Sequence, residues 1–331
     1  MMNSAKKFKV QGSEFAVELR TLNLEPRTFL IIFTDLDGTL LDHETYSFEA
    51  AQEALEEVQR REIPLILCTS KTRAEVERYR RLLNNHDPFI VENGGAIFIP
   101  KGYFLFSYPY QREVADYHVI EDGVPYPRLV AALQAVRLAL SVSEGEESGA
   151  RIVGFSDLKV EEVARLTGLS LEEARLAKER EYDEPFFVDG PREAADRVRR
   201  LLRKKGFLCT RGGRFDHLTG LNDKGRAVST LAGLFQRAYG KVRTVGIGDS
   251  VNDLPMLQAV EVPFLVQGAD GTHDPKVRLP NLIRVQGIGP LGWRRAVLDL
   301  LSENERSTIS EIPPHPPLQK GGRGGLLKAD R

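Results

Sequence analysis

The chain has 331 residues, of which 41% are hydrophobic and 28% charged, and its formal net charge at pH 7 is -1. This length suits two domains, and the mean hydropathy of -0.29 is typical of a soluble globular protein. Because the near-neutral charge gives no broad positive field, the composition argues against nucleic acid and anionic membranes as partners.

Residues 1–27 are polar, and we interpret them as an extension of the folded chain. The first apolar run, Phe29–Phe33, is too short for a secretory signal or a membrane span, so we expect a cytoplasmic protein. Cys68 and Cys209 lie far apart and form no metal-binding cluster. We therefore expect two buried thiols in a reducing compartment.

Five predicted elements follow in the order β-α-β-α-β. Continuous apolar runs predict buried strands, and apolar residues spaced by three and four predict helices. The strands are placed at Thr28–Phe33, Pro64–Cys68 and Pro88–Val91, and the helices at Ser47–Arg61 and Arg73–Leu83. This order predicts a parallel sheet with right-handed crossovers.

The segment after this half, residues 111–214, has a different pattern, in which short strands alternate with helices. We interpret it as an inserted α+β cap domain. Its predicted strands are Tyr117–Ile120, Arg151–Phe155, Pro185–Val188 and Phe207–Thr210, and its predicted helices are Arg128–Leu140, Val160–Leu166, Leu171–Arg180 and Arg192–Lys204.

The α/β alternation returns in residues 215–303. Helices are predicted at Lys224–Ala238, Val251–Val260 and Leu291–Leu301, and strands at Lys241–Ile247, Val262–Val266 and Leu282–Val285. We predict that residues 28–110 and 215–303 form one doubly wound, mainly parallel α/β sheet of the Rossmann-like type. Residues 304–331, which are rich in Pro and Gly, are predicted to be a disordered tail.

Two carboxylates follow the first predicted strand, in the motif Thr34-Asp-Leu-Asp-Gly-Thr39. Ligands of open α/β sheets bind beyond the carboxyl ends of the strands, and two acids there are costly unless a positive group pairs with them. An Asp-Gly turn with solvated acids is the alternative. A calcium loop is disfavoured, because Thr39-Leu-Leu41 does not supply the further oxygen ligands that it needs.

A second acidic motif, Gly246-Ile-Gly-Asp-Ser-Val-Asn-Asp253, follows another apolar strand. It places Asp249 and Asp253 where both carboxylates can face one point. The alternative is helix capping by Ser250 or Asn252. Two acidic strand ends in one sheet indicate a hard-cation site, and oxygen-only ligands favour Mg²⁺.

Three further segments are weaker signals. Thr69 and Ser70 follow the second strand and could bind a phosphoryl group at a helix N-terminus, although such residues are usually only caps. Lys224 could supply the cation that acids and phosphate require, although most lysines are solvated. Glu92–Gly95 is either a turn or a ligand-facing loop.

In this order, the motifs resemble those of the haloacid dehalogenase superfamily of phosphotransferases over residues 28–301, with a cap similar to that of type IIB members. Four segments resemble the mannosyl-3-phosphoglycerate phosphatases more closely: Thr69–Thr72, Phe89–Gly95, Arg180–Phe186 and Gly212–Phe215. The resemblance implies a magnesium-dependent phosphomonoester hydrolase that releases mannosylglycerate and phosphate through an aspartyl-phosphate intermediate.

The resemblance also implies a role for each motif residue. Asp35 would be the nucleophile and Asp37 the general acid and base. The Mg²⁺ ligands would be Asp35, the backbone carbonyl of Asp37, and Asp249, with Asp253 in support. The phosphate-binding residues would be Thr69, Ser70, Lys224 and Asn252.

The cap is expected to select a small phosphorylated sugar-glycerate. Its carboxylate suits Arg180 or Arg214, and its sugar hydroxyls suit Glu184 and His217. An exposed charge or a cap-to-core salt bridge is the alternative for each of these residues. The sequence leaves open a glucosyl-3-phosphoglycerate or sucrose phosphate substrate, a phosphomutase, a non-catalytic module that binds magnesium and sugar, and the oligomeric state.

Overall fold

A computed structural model describes residues 28–144, 151–211 and 215–306. The strands are β1 (Phe29–Thr34), β2 (Leu65–Cys68), β3 (Phe89–Val91), β4 (Ala96–Pro100), β5 (Arg112–Val114), β6 (Tyr117–Glu121), β7 (Arg151–Gly154), β8 (Glu184–Asp189), β9 (Leu208–Arg211), β10 (Asp216–Thr219), β11 (Val242–Gly248), β12 (Val262–Gln267) and β13 (Ile283–Ile288). The helices are α1 (Gln52–Arg60), α2 (Arg73–Leu82), α3 (Tyr126–Glu144), α4 (Val160–Thr167), α5 (Leu171–Ala177), α6 (Arg192–Lys204), α7 (Lys224–Tyr239), α8 (Leu254–Gln258) and α9 (Pro290–Arg306).

Nine of the described strands form one large sheet in the order β13-β12-β11-β1-β2-β3-β4-β6-β5. The pairs from β13 to β3 are parallel, and the pairs from β3 to β5 are antiparallel. All six residues of β1 are buried, as expected for a central strand covered on both faces. The predicted doubly wound, mainly parallel sheet is confirmed.

Helices cover both faces of this sheet. In β1, Leu30 and Ile32 pack with residues of α1, α2 and α9, whereas Phe29, Ile31 and Phe33 pack with residues of α7 and α8. The alternation follows from the two-residue period of a strand. Trp293 of α9 is fully buried and donates its Nε1–H to Thr34 Oγ1 at 3.0 Å.

A smaller antiparallel sheet, in the order β7-β8-β10-β9, forms the centre of the cap. Residues of α3 and α6 share a hydrophobic cluster with this sheet, including Leu133, Phe186 and Val198. Residues of α4 and α5 form a separate small cluster with Phe155 and Phe215. The cap therefore has its own core.

The predicted boundaries of the cap differ from this topology. The insert was predicted to begin at residue 111, but β5 and β6 extend the large sheet, with β6 paired to β4. The insert was predicted to end at residue 214, but β10 at Asp216–Thr219 pairs with β8 and β9. Local sequence does not specify which sheet a short strand joins. The division of the chain into domains stays a prediction.

Other differences concern element ends. Helix α9 continues to Arg306, five residues beyond its predicted end and three residues into the predicted tail. Residues 1–27 and 307–331, which hold the predicted extension and the rest of the tail, lie outside the described residues. Cys68 and Cys209 are both buried free thiols, as predicted. Among the described helices, none has the length and apolar character that a bilayer span requires.

Candidate active site

The carboxyl ends of three neighbouring strands meet at one edge of the large sheet. Thr34 of β1 is in register with Leu67 of β2 and with Ile247 of β11. Asp35, Thr69 and Asp249 follow these positions directly or after one residue, so the register brings them together. Asp35 N–H donates to the Ile247 carbonyl at 3.0 Å, which ties the two acidic strand ends to each other.

Three carboxylates cluster at this edge. Asp35, Asp249 and Asp253 each offer an oxygen, and these oxygens all lie within 4.8 Å of one another. Lys224, which is 1% exposed, places Nζ 2.6 Å from Asp35 Oδ1 and 2.6 Å from Asp253 Oδ1. The structure thus brings the predicted nucleophile, lysine and second acidic motif into one group, in which Asp249 is partly buried and the others are buried.

The cluster holds more negative charge than Lys224 neutralises. Burial, followed by repulsion from Asp253, raises the pKa of Asp35, and the same two causes raise the pKa of Asp249. Burial alone would lower the pKa of Lys224, but the carboxylates of Asp253 and Asp35 outweigh it and raise that pKa. Three acids against one buried ammonium leave an excess of carboxylate that a bound cation would balance.

The donor set fits a hard divalent cation. All the candidate ligands in the cluster are carboxylate oxygens, the type that Mg²⁺ prefers. Gly38 keeps the approach to Asp249 open, since a Cβ there would lie 2.9 Å from Asp249 Oδ2, and its φ of +73° is a conformation that glycine favours. The cluster can therefore hold a metal ion.

Asp253 also shapes its own loop. Its Oδ2 accepts from the backbone N–H of Asp249 at 3.1 Å and of Ser250 at 3.3 Å, while Oδ1 pairs with Lys224. These contacts fix the backbone that carries Asp249. The supporting role predicted for Asp253 agrees with this geometry.

The predicted phosphate-binding residues occupy two different settings. Thr69 is fully buried at the end of β2, and its Oγ1 accepts from Lys71 N–H at 3.2 Å. The next helix, α2, begins with a capping box between Thr72 and Glu75, so its N-terminus is well defined. Asn252 instead donates from Nδ2 to Asn93 Oδ1 at 3.0 Å. Phosphate binding by Thr69, Ser70 and Asn252 stays a prediction.

Asp37 has a cationic neighbour that sequence reasoning missed. Lys71 Nζ lies 2.8 Å from Asp37 Oδ1, and the side chain of Lys71 is 8% exposed. Lys71 lies in the segment Thr69–Thr72, which resembles the family, but no role was predicted for its side chain. Only the approach of β1 and β2 in the folded sheet brings the two side chains together.

Glu92, in the loop after β3, connects the core to the cap. It is fully buried, and its carboxylate accepts from Tyr182 N–H at 2.8 Å and from Glu181 N–H at 3.0 Å. Burial raises the pKa of Glu92 to about 8. Both Glu92 and Asn93 adopt positive φ, which is uncommon outside glycine. The Glu92–Gly95 loop, for which a turn and a ligand-facing role were both open, is a cap-to-core junction.

Arg180 forms a contact between the cap and the core, which was the alternative to its predicted role in substrate binding. Its Nη1 donates to the Ser70 carbonyl at 2.9 Å, its Nε donates to the Ala177 carbonyl at 2.8 Å, and it lies 3.6 Å from Asp183. The guanidinium is therefore hydrogen-bonded beside the predicted phosphate loop, which contains Thr69 and Ser70. A role in holding the cap over that loop fits this position.

Glu184 does not fit the predicted role of a sugar ligand. It is fully buried inside the cap, where Oε2 accepts from Tyr126 OH at 2.6 Å and Oε1 accepts from Ser156 Oγ at 2.6 Å. Since both oxygens are occupied by cap residues, we withdraw it as a direct substrate contact.

His217 remains a candidate for substrate contact. Its ring is 18% exposed, and Nδ1 lies 2.7 Å from Asp183 Oδ2. Arg180 links Asp183 to Ser70, so a continuous polar chain runs from His217 to the predicted phosphate loop. Arg214 lies outside the described residues.

Comparison with known proteins gives consistent matches. The family model for haloacid dehalogenase-like hydrolases matches residues 32–121. A glucosyl-3-phosphoglycerate/mannosyl-3-phosphoglycerate phosphatase from Methanococcoides burtonii is 48% identical over 274 residues, which cover 83% of this chain and 98% of the relative. A mannosyl-3-phosphoglycerate phosphatase from Pyrococcus furiosus is 39% identical over 71% of this chain and 90% of its own length.

Solved structures share the fold at low identity. A protein from Thermoplasma acidophilum matches with a TM-score of 0.57 and 18% identity, covering 83% of this chain and 99% of its own. A sugar phosphatase of subclass IIB of the haloacid dehalogenase superfamily matches with a TM-score of 0.53 and 17% identity, covering 82% of this chain and 99% of its own. The predicted superfamily and the type IIB architecture are confirmed.

Proposed function

We propose that this chain, which belongs to the haloacid dehalogenase-like hydrolases, removes the phosphate of a glycosyl-3-phosphoglycerate through a phosphorylated Asp35. The substrate class rests on the names of relatives that match 83% and 71% of the chain. Mannose and glucose both occur in the name of the relative from Methanococcoides burtonii, so we include both sugars. A cytoplasmic location stays a prediction from sequence.

One observation carries the proposal. Asp35 is buried beside Lys224 and within reach of Asp249 and Asp253, at the carboxyl edge of a doubly wound sheet. A carboxylate attacks a phosphate ester only when nearby positive charge offsets the repulsion between the two anions. Lys224 supplies one such charge through a 2.6 Å contact.

In the first step, an Asp35 oxygen forms a bond to phosphorus while the ester P–O bond breaks. Lys224 holds Asp35 Oδ1, which leaves Oδ2 to attack. The ester oxygen leaves with a proton from Asp37, because an alkoxide is a poor leaving group. In the second step, Asp37 accepts a proton from a water molecule as that water attacks phosphorus. Asp35 and inorganic phosphate are then released.

The acidic cluster also supports a requirement for a divalent ion. Asp35 and Asp249, with the backbone carbonyl of Asp37, would hold Mg²⁺, and Asp253 would orient the Asp249 loop. When bound, Mg²⁺ supplies positive charge to the phosphoryl oxygens.

The cap would recognise the sugar-glycerate part. Asp183 holds His217 through Nδ1, which leaves the Nε2 edge of the ring available to a hydroxyl. Arg180 would hold the cap against Ser70 when the site closes and excludes water.

Steady-state kinetics on purified protein tests the proposal. We expect release of phosphate from mannosyl-3-phosphoglycerate and glucosyl-3-phosphoglycerate, with far higher kcat/KM than from sucrose phosphate. A chelator should stop turnover and added Mg²⁺ should restore it. Equal rates on all sugar phosphates would contradict the substrate class, and turnover in excess chelator would contradict the magnesium site.

A further inference from the structure

Lys71 lies in the loop between β2 and α2 and has no part in the mechanism so far. Its Nζ is 2.8 Å from Asp37 Oδ1 and 3.8 Å from Glu75 Oε1. The shorter distance makes Asp37 its principal partner. Asp37 Oδ1 is shielded from solvent and accepts no hydrogen bond from the described residues, so its contact with Lys71 is an ion pair; the Asp37 side chain as a whole is 36% exposed. One edge of the carboxylate therefore faces Lys71, and the rest of the side chain is partly exposed to solvent.

The surroundings of Lys71 fix both its charge and its position. Two tyrosine rings lie near Nζ, with centroid distances of 5.0 Å to Tyr46 and 5.6 Å to Tyr79. These rings favour a cation on geometric grounds. Burial alone would lower the pKa of Lys71, but Asp37 and Glu75 outweigh it and raise that pKa. The ammonium group thus lies near two carboxylates and two aromatic rings.

We propose that Lys71 is a positioning residue, which holds Asp37 Oδ1 so that Asp37 Oδ2 exchanges the proton with the reacting oxygen. This inference rests on the proposed function. An ammonium N–H can donate to Oδ1 whether or not Oδ2 carries a proton. The contact therefore persists through both steps, and the proton is confined to Oδ2.

A structural ion pair would have no such consequence for the chemistry. Asp37 must present one oxygen within about 3 Å of the leaving oxygen, and a freely rotating carboxylate would present it only part of the time. Among the described residues, Lys71 is the cationic partner that the structure gives to the Asp37 carboxylate. Removal of this partner should impair proton transfer more than phosphate binding.

The dependence of rate on the leaving group separates these effects. The alkoxide of an alkyl phosphate needs a proton from Asp37 in order to leave. The p-nitrophenolate of p-nitrophenyl phosphate leaves readily without one. The ratio kcat/KM reports on steps up to formation of the phosphorylated enzyme, so it isolates the acid role of Asp37. We would measure it for both esters with wild type, Lys71→Met, Lys71→Gln and Lys71→Arg.

For Lys71→Met we expect kcat/KM to fall about 10- to 100-fold on the alkyl ester and less than about threefold on p-nitrophenyl phosphate, within the range that positioned acid catalysis supplies. Lys71→Gln and Lys71→Arg keep a hydrogen-bond donor, so their kcat/KM values on the alkyl ester should lie between those of Lys71→Met and wild type. Lys101→Met is the matched control, because Lys101 pairs with Glu113 at the surface and should leave both values unchanged.

Equal losses on the two esters, or no loss on either, would overturn the proposal. If Lys71→Met does not fold, the leaving-group ratio of Lys71→Gln decides by the same criterion. Any alkyl phosphate that the wild type hydrolyses can serve. Failure of the proposed sugar-glycerate substrate would therefore be seen in the wild type and would leave the comparison of variants intact.

Discussion

Asp35 and Asp37 are separated by one residue, yet their surroundings differ. The side chain of Asp35 is 9% exposed and paired with Lys224, whereas that of Asp37 is 36% exposed and paired with Lys71. A buried, fixed carboxylate suits attack on phosphorus. A partly exposed carboxylate suits exchange of protons with the leaving group and with water.

Substitution of the two acids should give different residual activities. Asp35→Asn should abolish turnover, because an amide does not form the phosphorylated intermediate. Asp37→Asn should retain slow turnover, reduced about 10²- to 10⁴-fold, since only proton transfer is lost. Steady-state release of phosphate measures the residual activity of each variant. A near wild-type rate for Asp35→Asn would contradict the assignment of the nucleophile.

Asp249→Asn should weaken metal binding. We expect the Mg²⁺ concentration for half-maximal activity to rise at least about tenfold, because a charged ligand is lost. Without Mg²⁺, thermal stability should not fall, since the raised pKa of Asp249 reflects an unfavourable buried charge. Glu44→Gln, at an exposed acid, is the control. An unchanged Mg²⁺ dependence would exclude Asp249 as a ligand.

At the scale of elements, strand ends and tight turns set the site. The motif after β1 turns back at Gly38, whose N–H donates to the Leu41 carbonyl at 2.9 Å. The turn brings Gly38 against the carboxylate of Asp249 on the neighbouring strand end. The two acidic motifs are therefore joined by a close contact that only glycine allows.

Gly38→Ala tests this contact. The new Cβ would lie 2.9 Å from Asp249 Oδ2, so we expect loss of activity and weaker binding of Mg²⁺. The positive φ alone should cost about 1–2 kcal/mol in the free energy of unfolding. Gly102→Ala is the matched control, since Gly102 has a φ of +80° and open space around it. Equal activity losses in the two variants would show that backbone strain, not contact with Asp249, causes the effect.

The sequence predicts long or fully buried elements well. Helix α6 has its predicted bounds, and the ends of β1, β2 and β11 carry the predicted polar residues. Strands β4, β5 and β10 were missed; β5 and β10 each hold a single apolar residue, which is too few to show a periodicity. Lys71 and Glu92 were also missed as partners, because their burial depends on contacts with distant segments.

At the scale of the whole molecule, the cap is attached through a dense polar junction. Glu92 accepts backbone N–H groups of Glu181 and Tyr182, and Arg112 of the large sheet contacts Glu181 and Tyr182 as well. Arg73 pairs with Glu181 at 3.2 Å. The orientation of the cap over the catalytic edge therefore depends on this junction.

Glu92 should give the junction a characteristic pH dependence. Its pKa rises from 4.5 to about 8 on folding, so between these values the folded protein holds a proton that the unfolded chain lacks. The contribution of Glu92 to the free energy of unfolding is therefore greatest below about pH 4.5. It falls as pH rises towards 8, by at most about 1.4 kcal/mol per pH unit. In Glu92→Gln this contribution is absent.

Denaturant unfolding from pH 5 to 9 in Mg²⁺ checks this expectation. The free energy of unfolding of the wild type, minus that of Glu92→Gln, should decrease steadily as pH rises to about 8 and then level off. In Glu44→Gln, the free energy of unfolding should vary with pH as it does in the wild type. A difference that does not vary with pH would show that Glu92 is ionised in the folded protein.

The covalent intermediate on Asp35 is the centre of the account, and chemical trapping tests it directly. Protein quenched during turnover with Mg²⁺ and substrate would be treated with borohydride, which reduces an aspartyl phosphate to homoserine. Peptide mass spectrometry should find homoserine at position 35 and nowhere else, with none in Asp35→Asn or without Mg²⁺. Homoserine at position 37, or none in actively turning-over wild type, would contradict the account.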